Sequence, residues 1–196
     1  MGDGNAVTDR RTTFDRLFRD DGDPWDLETS GYEREKRQAT LDALPARRFA
    51  SGLEIGCAFG VLTEQLVERC DRLLALDVSL VAIERARQRL ARHPNVTLRV
   101  AELPRDWPAG RYDLIVLSEV LYFMSASEIE AVGRAAHASL EPGGVCLLVN
   151  WTGPNDLPVP GDRAADLLAG SARWHRRIQP IEAGTYRIDV LDVPRD

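Results

Sequence analysis

Small and acidic residues alternate in the stretch LEIGCAFGV (53–61), as Glu54, Gly56, Ala58 and Gly60. Glycine and alanine let a backbone turn sharply and approach a ligand closely, because little or no side chain intervenes. The Glu54 carboxylate just ahead of the turn would repel a pyrophosphate and suits a ligand that carries positive charge. Asp77 closes the next short apolar run, RLLALD (72–77), where a carboxylate can accept both hydroxyls of a ribose. Glu119 and Tyr122 follow a third such run, DLIVLS (113–118), and can orient an acceptor or hold its proton. Two plainer readings stand beside these. The glycines can simply make a tight turn, and Asp77 can simply cap a helix that starts near Ser79.

The elements that must carry these residues alternate between strand and helix. RLLALD, DLIVLS and VCLLVN (145–150) are nearly continuous apolar runs, the pattern of parallel strands buried on both faces. A short strand precedes the glycine loop at about 50–55, and NVTLRV (95–100) alternates Val96, Leu98 and Val100. Helical periodicity appears in 79–92, where Leu80, Ile83, Arg87 and Leu90 share a face, and in 126–140 through Ile129, Val132, Ala136 and Leu140. Ser127 with Glu130 forms a capping-box pattern at the start of the second helix, and Pro142-Gly143-Gly144 predicts a turn after it. A further helix is expected at 162–170. WHRRIQPI and YRIDVLDV, joined across Glu182-Ala183-Gly184, predict a final antiparallel pair. The order implies an α/β, doubly wound sheet in a single domain (13–196), with a helical lid segment at 13–45 and a polar, disordered 1–12.

Composition excludes several functions. A formal net charge of −6 supplies no basic face for nucleic acid. The arginines at 85, 87, 89 and 92 read as a solvated helix face. No apolar run is long enough for a membrane span, and the first residues carry no secretory pattern. Cys57, Cys70 and Cys146 stand apart, without ligand spacing, so neither a disulfide frame nor a metal site is expected; reduced thiols point to the cytoplasm. His93, His137 and His175 lie away from the candidate residues, although His175 joins Arg173, Arg176 and Arg177 in a basic group that reads as a charged edge strand.

The glycine loop discriminates between cofactors. A P-loop needs GK[ST] at its end, and none is present; a G-x-G-x-x-G dinucleotide loop fails at Ala58 and Val61. The loop instead resembles the acidic-x-Gly-x-Gly/Ala-x-Gly motif of S-adenosylmethionine-dependent class I methyltransferases. Glu102 within Ala101-Glu102-Leu103, Ser118-Glu119-Val120 and the turn at 140–144 extend that resemblance along nearly the whole chain. It implies a seven-stranded Rossmann-like sheet with the last strand antiparallel. It also implies S-adenosyl-L-methionine as cofactor, S-adenosyl-L-homocysteine as product and no metal. The cofactor residues it implies are Glu54, Gly56, Cys57, Ala58 and Gly60 on the loop, Asp77 and Val78 after the second strand, and Glu102, Leu103 and Ser118.

A narrower resemblance lies in FDRLFRDDGDPWDLETSGYEREKRQATLDALP (14–45) and ELPRDWPAGRYDLIVLSEVLYFM (102–124), which are similar to nodulation-type N-methyltransferases. Those enzymes methylate a free amine of a chitin-like oligosaccharide. The resemblance implies an amine on a sugar-like or small-molecule acceptor; a monomer or homodimer is expected as the assembly. Trp25 and Tyr32 then read as a lid over the cofactor, with Lys36 or Arg37 meeting its carboxylate, although Trp25 can equally pin the N-terminal segment to the body. Glu119 can serve the acceptor or the cofactor's ammonium. The alternatives are an O-methyltransferase of a small metabolite and a non-catalytic cofactor-binding sensor or partner protein.

Overall fold

The structure, a computed structural model, describes residues 9–154, 156–179 and 185–193. Seven strands form one sheet in the order β3-β2-β1-β4-β5-β7-β6. They are β1 (Gly52–Ile55), β2 (Leu73–Asp77), β3 (Val96–Val100), β4 (Tyr112–Ser118), β5 (Leu140–Trp151), β6 (His175–Gln179) and β7 (Tyr186–Asp192). β1 to β5 are parallel, and β7 runs antiparallel to both β5 and β6. The expected doubly wound sheet and its antiparallel last strand are therefore present. The segment joining β6 to β7 at 182–184 lies outside the described residues.

The apolar runs are continuous because both faces of the central strands are covered. Ile115 and Leu117 of β4, with Cys146 and Leu148 of β5, face the helices α5 (Ala126–Ser139) and α6 (Gly161–Gly170). Their neighbours Leu114, Val116, Leu147 and Val149 face the opposite side, packing with Phe49, Leu66 and Val67. Sheet order reverses between β1 and β4, so the chain leaves their carboxyl ends in opposite directions and opens a crevice there.

Four local expectations change. The capping box is Ser125 with Glu128, whose side chain accepts from the Ser125 N–H at 2.8 Å; the sequence holds two overlapping Ser-x-x-Glu patterns, and the earlier one forms. In α4 (Leu80–Arg89) the buried face is Ala82, Ile83 and Ala86, while Leu80 is exposed. The two alanines bring the helix against the glycine loop, a role that counting large apolar residues does not detect. β5 begins at Leu140, so Pro142-Gly143-Gly144 lies within its bounds, opposite a register shift between Tyr112 and Leu114 of β4. Finally, α1 (Arg10–Asp20) starts inside the stretch expected to be disordered, because the Asp9 side chain caps it by accepting from the Arg11 N–H at 3.2 Å. Residues 1–8 lie outside the described residues.

With α2 (Gly31–Asp42), α1 lies over the crevice and is tied down at several points. Arg10 pairs with Glu102 at 3.3 Å and with Glu128. Asp15 accepts from the Ser79 hydroxyl at 2.5 Å. Arg85 lies over the Phe59 ring at 4.1 Å and donates to the Gly22 carbonyl, and Arg89 pairs with Glu28 and, at 3.1 Å, with Glu64. Those two arginines are clamps between α4 and the N-terminal segment, not a solvated face.

Candidate active site

A cavity of about 500 Å³ fills the crevice. Every candidate cofactor residue lines it except Gly60, and so do Glu119 and Tyr122. Trp25 leans on Phe14 and Phe18 with ring centroids 6.3 and 5.7 Å away, so it lines the cavity and pins the segment at once. Tyr32 also does two jobs, lining the cavity while its hydroxyl lies 3.0 Å from the Thr185 hydroxyl.

The loop after β1 turns through three left-handed residues, Gly56 (φ 82°), Ala58 (φ 46°) and Gly60 (φ 86°). At Gly56 a Cβ would stand 3.1 Å from Val120 Cβ and 3.3 Å from the Ser118 carbonyl. Gly60 faces away from the cavity, with Leu90 3.0 Å from where its Cβ would be. It shapes the loop from behind, against α4. Gly60→Ala should therefore cost about 1–2 kcal/mol from the left-handed backbone alone, read by urea denaturation. A loss below ~0.5 kcal/mol would show that the loop relaxes freely.

Two buried carboxylates face this end of the cavity. Asp77 accepts from the Ala58 N–H at 2.9 Å through Oδ2 and from the Ser79 N–H at 2.8 Å through Oδ1, so it does support the start of α4. Each oxygen keeps a lone pair for a further donor. Burial raises its pKa to about 6. Glu54 is 1% exposed, and its Oε2 has no hydrogen-bond partner among the described residues. Burial raises its pKa to about 7, partly countered by the neighbouring Thr63 hydroxyl, with the Asp77 charge adding to the rise. A buried, unpartnered carboxylate oxygen on a cavity wall is costly unless a donor or cation arrives there. Glu102 lies on the same wall and is already paired with Arg10 and Arg105.

The other end of the cavity holds a linked set of charged groups. Lys36 Nζ lies 2.8 Å from Glu33 Oε1 and 2.7 Å from Glu119 Oε1, and 5.0 Å from the Tyr32 ring centroid. Burial opposes the lysine's charge, but Glu119 and Glu33 more than offset this and hold its pKa above the ordinary value. Glu119 Oε2 accepts from the Tyr122 hydroxyl at 2.5 Å and from the Trp151 N–H at 2.8 Å. Burial, and then the Glu119 charge, push the Tyr122 pKa far up, so the phenol stays protonated and acts as a donor. Glu119 is itself left-handed (φ 57°), an unfavourable state for a residue with a Cβ, held here by these contacts.

Lys36 thus meets two protein carboxylates. Arg37 is the other cation on this wall: its Nη1 donates to the Leu27 carbonyl at 2.6 Å, and its Nε has no partner among the described residues. Glu33 was not among the candidate residues, although its place three positions before Lys36 is visible in the sequence. The histidines lie elsewhere. His137 donates to the Arg173 carbonyl at 3.1 Å, His175 sits 3.3 Å from Asp192, and His93 is 3.7 Å from Glu68. No group of three potential metal ligands occurs among the described residues, nor does any helix long and apolar enough to cross a membrane.

The sheet order, the crevice and the loop define the Rossmann-like fold of S-adenosylmethionine-dependent methyltransferases. Residues 12–142 match the family model of nodulation protein S (NodS), and the chain belongs to that family. It is 35% identical over 145 residues to nodulation protein S of Rhizobium tropici, covering 72% of this chain and 60% of that protein. It is 37% identical over 123 residues to the Bradyrhizobium diazoefficiens protein, covering 61% and 58%. The chain thus spans about 60% of the length of the curated relatives it matches. Among solved structures it is similar to N-methyltransferase NodS from Bradyrhizobium japonicum WM9, in complex with S-adenosyl-L-homocysteine. The TM-score there is 0.81 at 26% identity, covering 95% of this chain and all of that one.

Proposed function

We propose that this chain transfers a methyl group from S-adenosylmethionine to the nitrogen of an amine on a small-molecule or sugar-like acceptor. One observation carries the reading: a single cavity joins the Glu54–Asp77 wall to the buried Glu33–Lys36–Glu119–Tyr122 cluster. The first wall fits the cofactor by its chemistry. The unpartnered Glu54 oxygen suits an ammonium and Asp77 suits ribose hydroxyls, while Arg37, on the Lys36 wall, suits a carboxylate. Val78, Glu102, Leu103 and Ser118 line the same cavity, and the first three would border an adenine. When bound, the cofactor supplies a methyl group already on a good leaving group, a sulfonium.

The chain's own task is then orientation and exclusion of water. Trp25, Phe14 and Phe18 give apolar cover, and the ion pairs of α1 hold that cover shut. A protonated amine cannot attack, so its proton must pass to a carboxylate of the cluster or to water before transfer. An oxygen acceptor would call for a histidine or comparable base near the end of β4. None of the three histidines lines the cavity, which favours nitrogen. The similarity to a NodS N-methyltransferase points the same way. In the test, protein is incubated with methyl-labelled S-adenosylmethionine and either glucosamine or its N-acetyl form. Label on the free amine alone supports the reading. Label on neither amine, or on the acetylated sugar equally, contradicts it for sugar amines.

A further inference from the structure

Three donors meet the two carboxylates at the acceptor end, and their distribution is uneven. Glu119 has a neighbour at each oxygen: Oε1 is ion-paired with Lys36 at 2.7 Å, though not aligned for a hydrogen bond, and Oε2 takes Tyr122 and the Trp151 N–H. Glu33 gives Oε1 to Lys36, and among the described residues nothing donates to its Oε2. Yet Glu33 is only 8% exposed and lines the cavity. The cluster holds two carboxylates against one directly paired lysine, while Arg37, whose charge also reaches Glu33, donates to the Leu27 carbonyl. A carboxylate with a spare oxygen on a cavity wall is well matched by a cation that donates hydrogen bonds.

We infer that Glu33 is the residue that receives the acceptor, binding it as an alkylammonium through Oε2, while Glu119 acts as a positioning residue. This rests on the proposed methyltransferase reading and assigns its acceptor contact. Lys36 itself illustrates the preference, because an alkylammonium already sits between these carboxylates and over the Tyr32 ring. Lys36 fixes the Glu33 carboxylate from one side and leaves the cavity side for the ligand. The site selects a cation over a neutral alcohol of the same shape, and rejects an anion.

The test needs no knowledge of the natural acceptor. Wild-type protein is titrated by calorimetry with n-butylammonium, butan-1-ol and butanoate, with and without S-adenosylhomocysteine. Butylammonium should bind about tenfold or more tighter than butanol, the worth of one charge-assisted hydrogen bond, and butanoate should not bind. Glu33→Gln should bring butylammonium and butanol together while leaving S-adenosylhomocysteine affinity within about threefold. Glu33→Asp, which keeps the charge, should retain the preference; a merely structural role would not track charge in this way. Equal binding of the two probes by wild type overturns the inference, as does a preference that survives in Glu33→Gln. Failure to bind S-adenosylhomocysteine would instead strike the methyltransferase reading, since the probe comparison without it still reads Glu33.

Discussion

Asp77→Asn weakens S-adenosylhomocysteine binding by about tenfold to a hundredfold, the cost of one charged hydrogen bond at roughly 1.5–3 kcal/mol. The amide cannot match the carboxylate, because one of its two ends donates where the Ala58 and Ser79 N–H groups already require two acceptors. Calorimetry checks this directly, and an unchanged affinity would remove Asp77 from the ribose site. The same carboxylate predicts a pH effect. Asp77 and Glu54 have folded-state pKa values raised to about 6 and about 7 from ordinary values of 3.8 and 4.5. As pH rises, the unfolded chain releases these protons first, so the folded state holds more protons between about pH 4 and 7. Stability of the ligand-free protein therefore falls across that window, by up to ~3 kcal/mol for each group. Its Tm should be higher at pH 5.5 than at pH 7.5. Ligand affinity should move oppositely, because the ionised carboxylates are the forms that bind. A Tm that rises with pH, or an affinity that does not, would contradict the assignment.

Lys36→Met should cost about 3–5 kcal/mol in folding stability, because it leaves Glu33 and Glu119 facing each other without their shared cation. The methionine fills similar space, so the loss reports charge and not a cavity. Adding Glu33→Gln removes one of the two stranded carboxylates and should recover about 1–3 kcal/mol, the size of coupling expected for residues in contact. Urea denaturation of the wild type, both single variants and the double variant closes the cycle. A Lys36→Met protein within ~1 kcal/mol of wild type would mean that water or a proton already neutralises the cluster.

Much of this was legible in the residues. The apolar runs marked β2, β4 and β5 because strands buried on both faces leave no polar alternation to obscure them. The glycine loop and Asp77 were readable because left-handed backbone and close approach restrict residue type so strongly. The acceptor end was harder to read. The buried residues of α2 are Glu33, Lys36 and Thr40, a stripe at helical spacing composed wholly of polar side chains. A search for apolar periodicity passes over such a stripe, and it left Glu33 without a role. Lys36 stands out in the sequence as a site residue, but its two carboxylate partners come from α2 and from the end of β4, a pairing that only the fold brings about. The small-residue face of α4 was missed for a related reason, since Ala82 and Ala86 bury little area yet set how closely the helix approaches the loop.

The crevice is built for an adenosyl sulfur cofactor and not for a nicotinamide dinucleotide. Calorimetric titration of the purified protein at pH 7.5 with S-adenosylhomocysteine, and separately with NADH, tests this most directly. S-adenosylhomocysteine should bind at one site with micromolar affinity, and NADH should give no measurable heat. Binding of NADH, or no binding of S-adenosylhomocysteine, would contradict it.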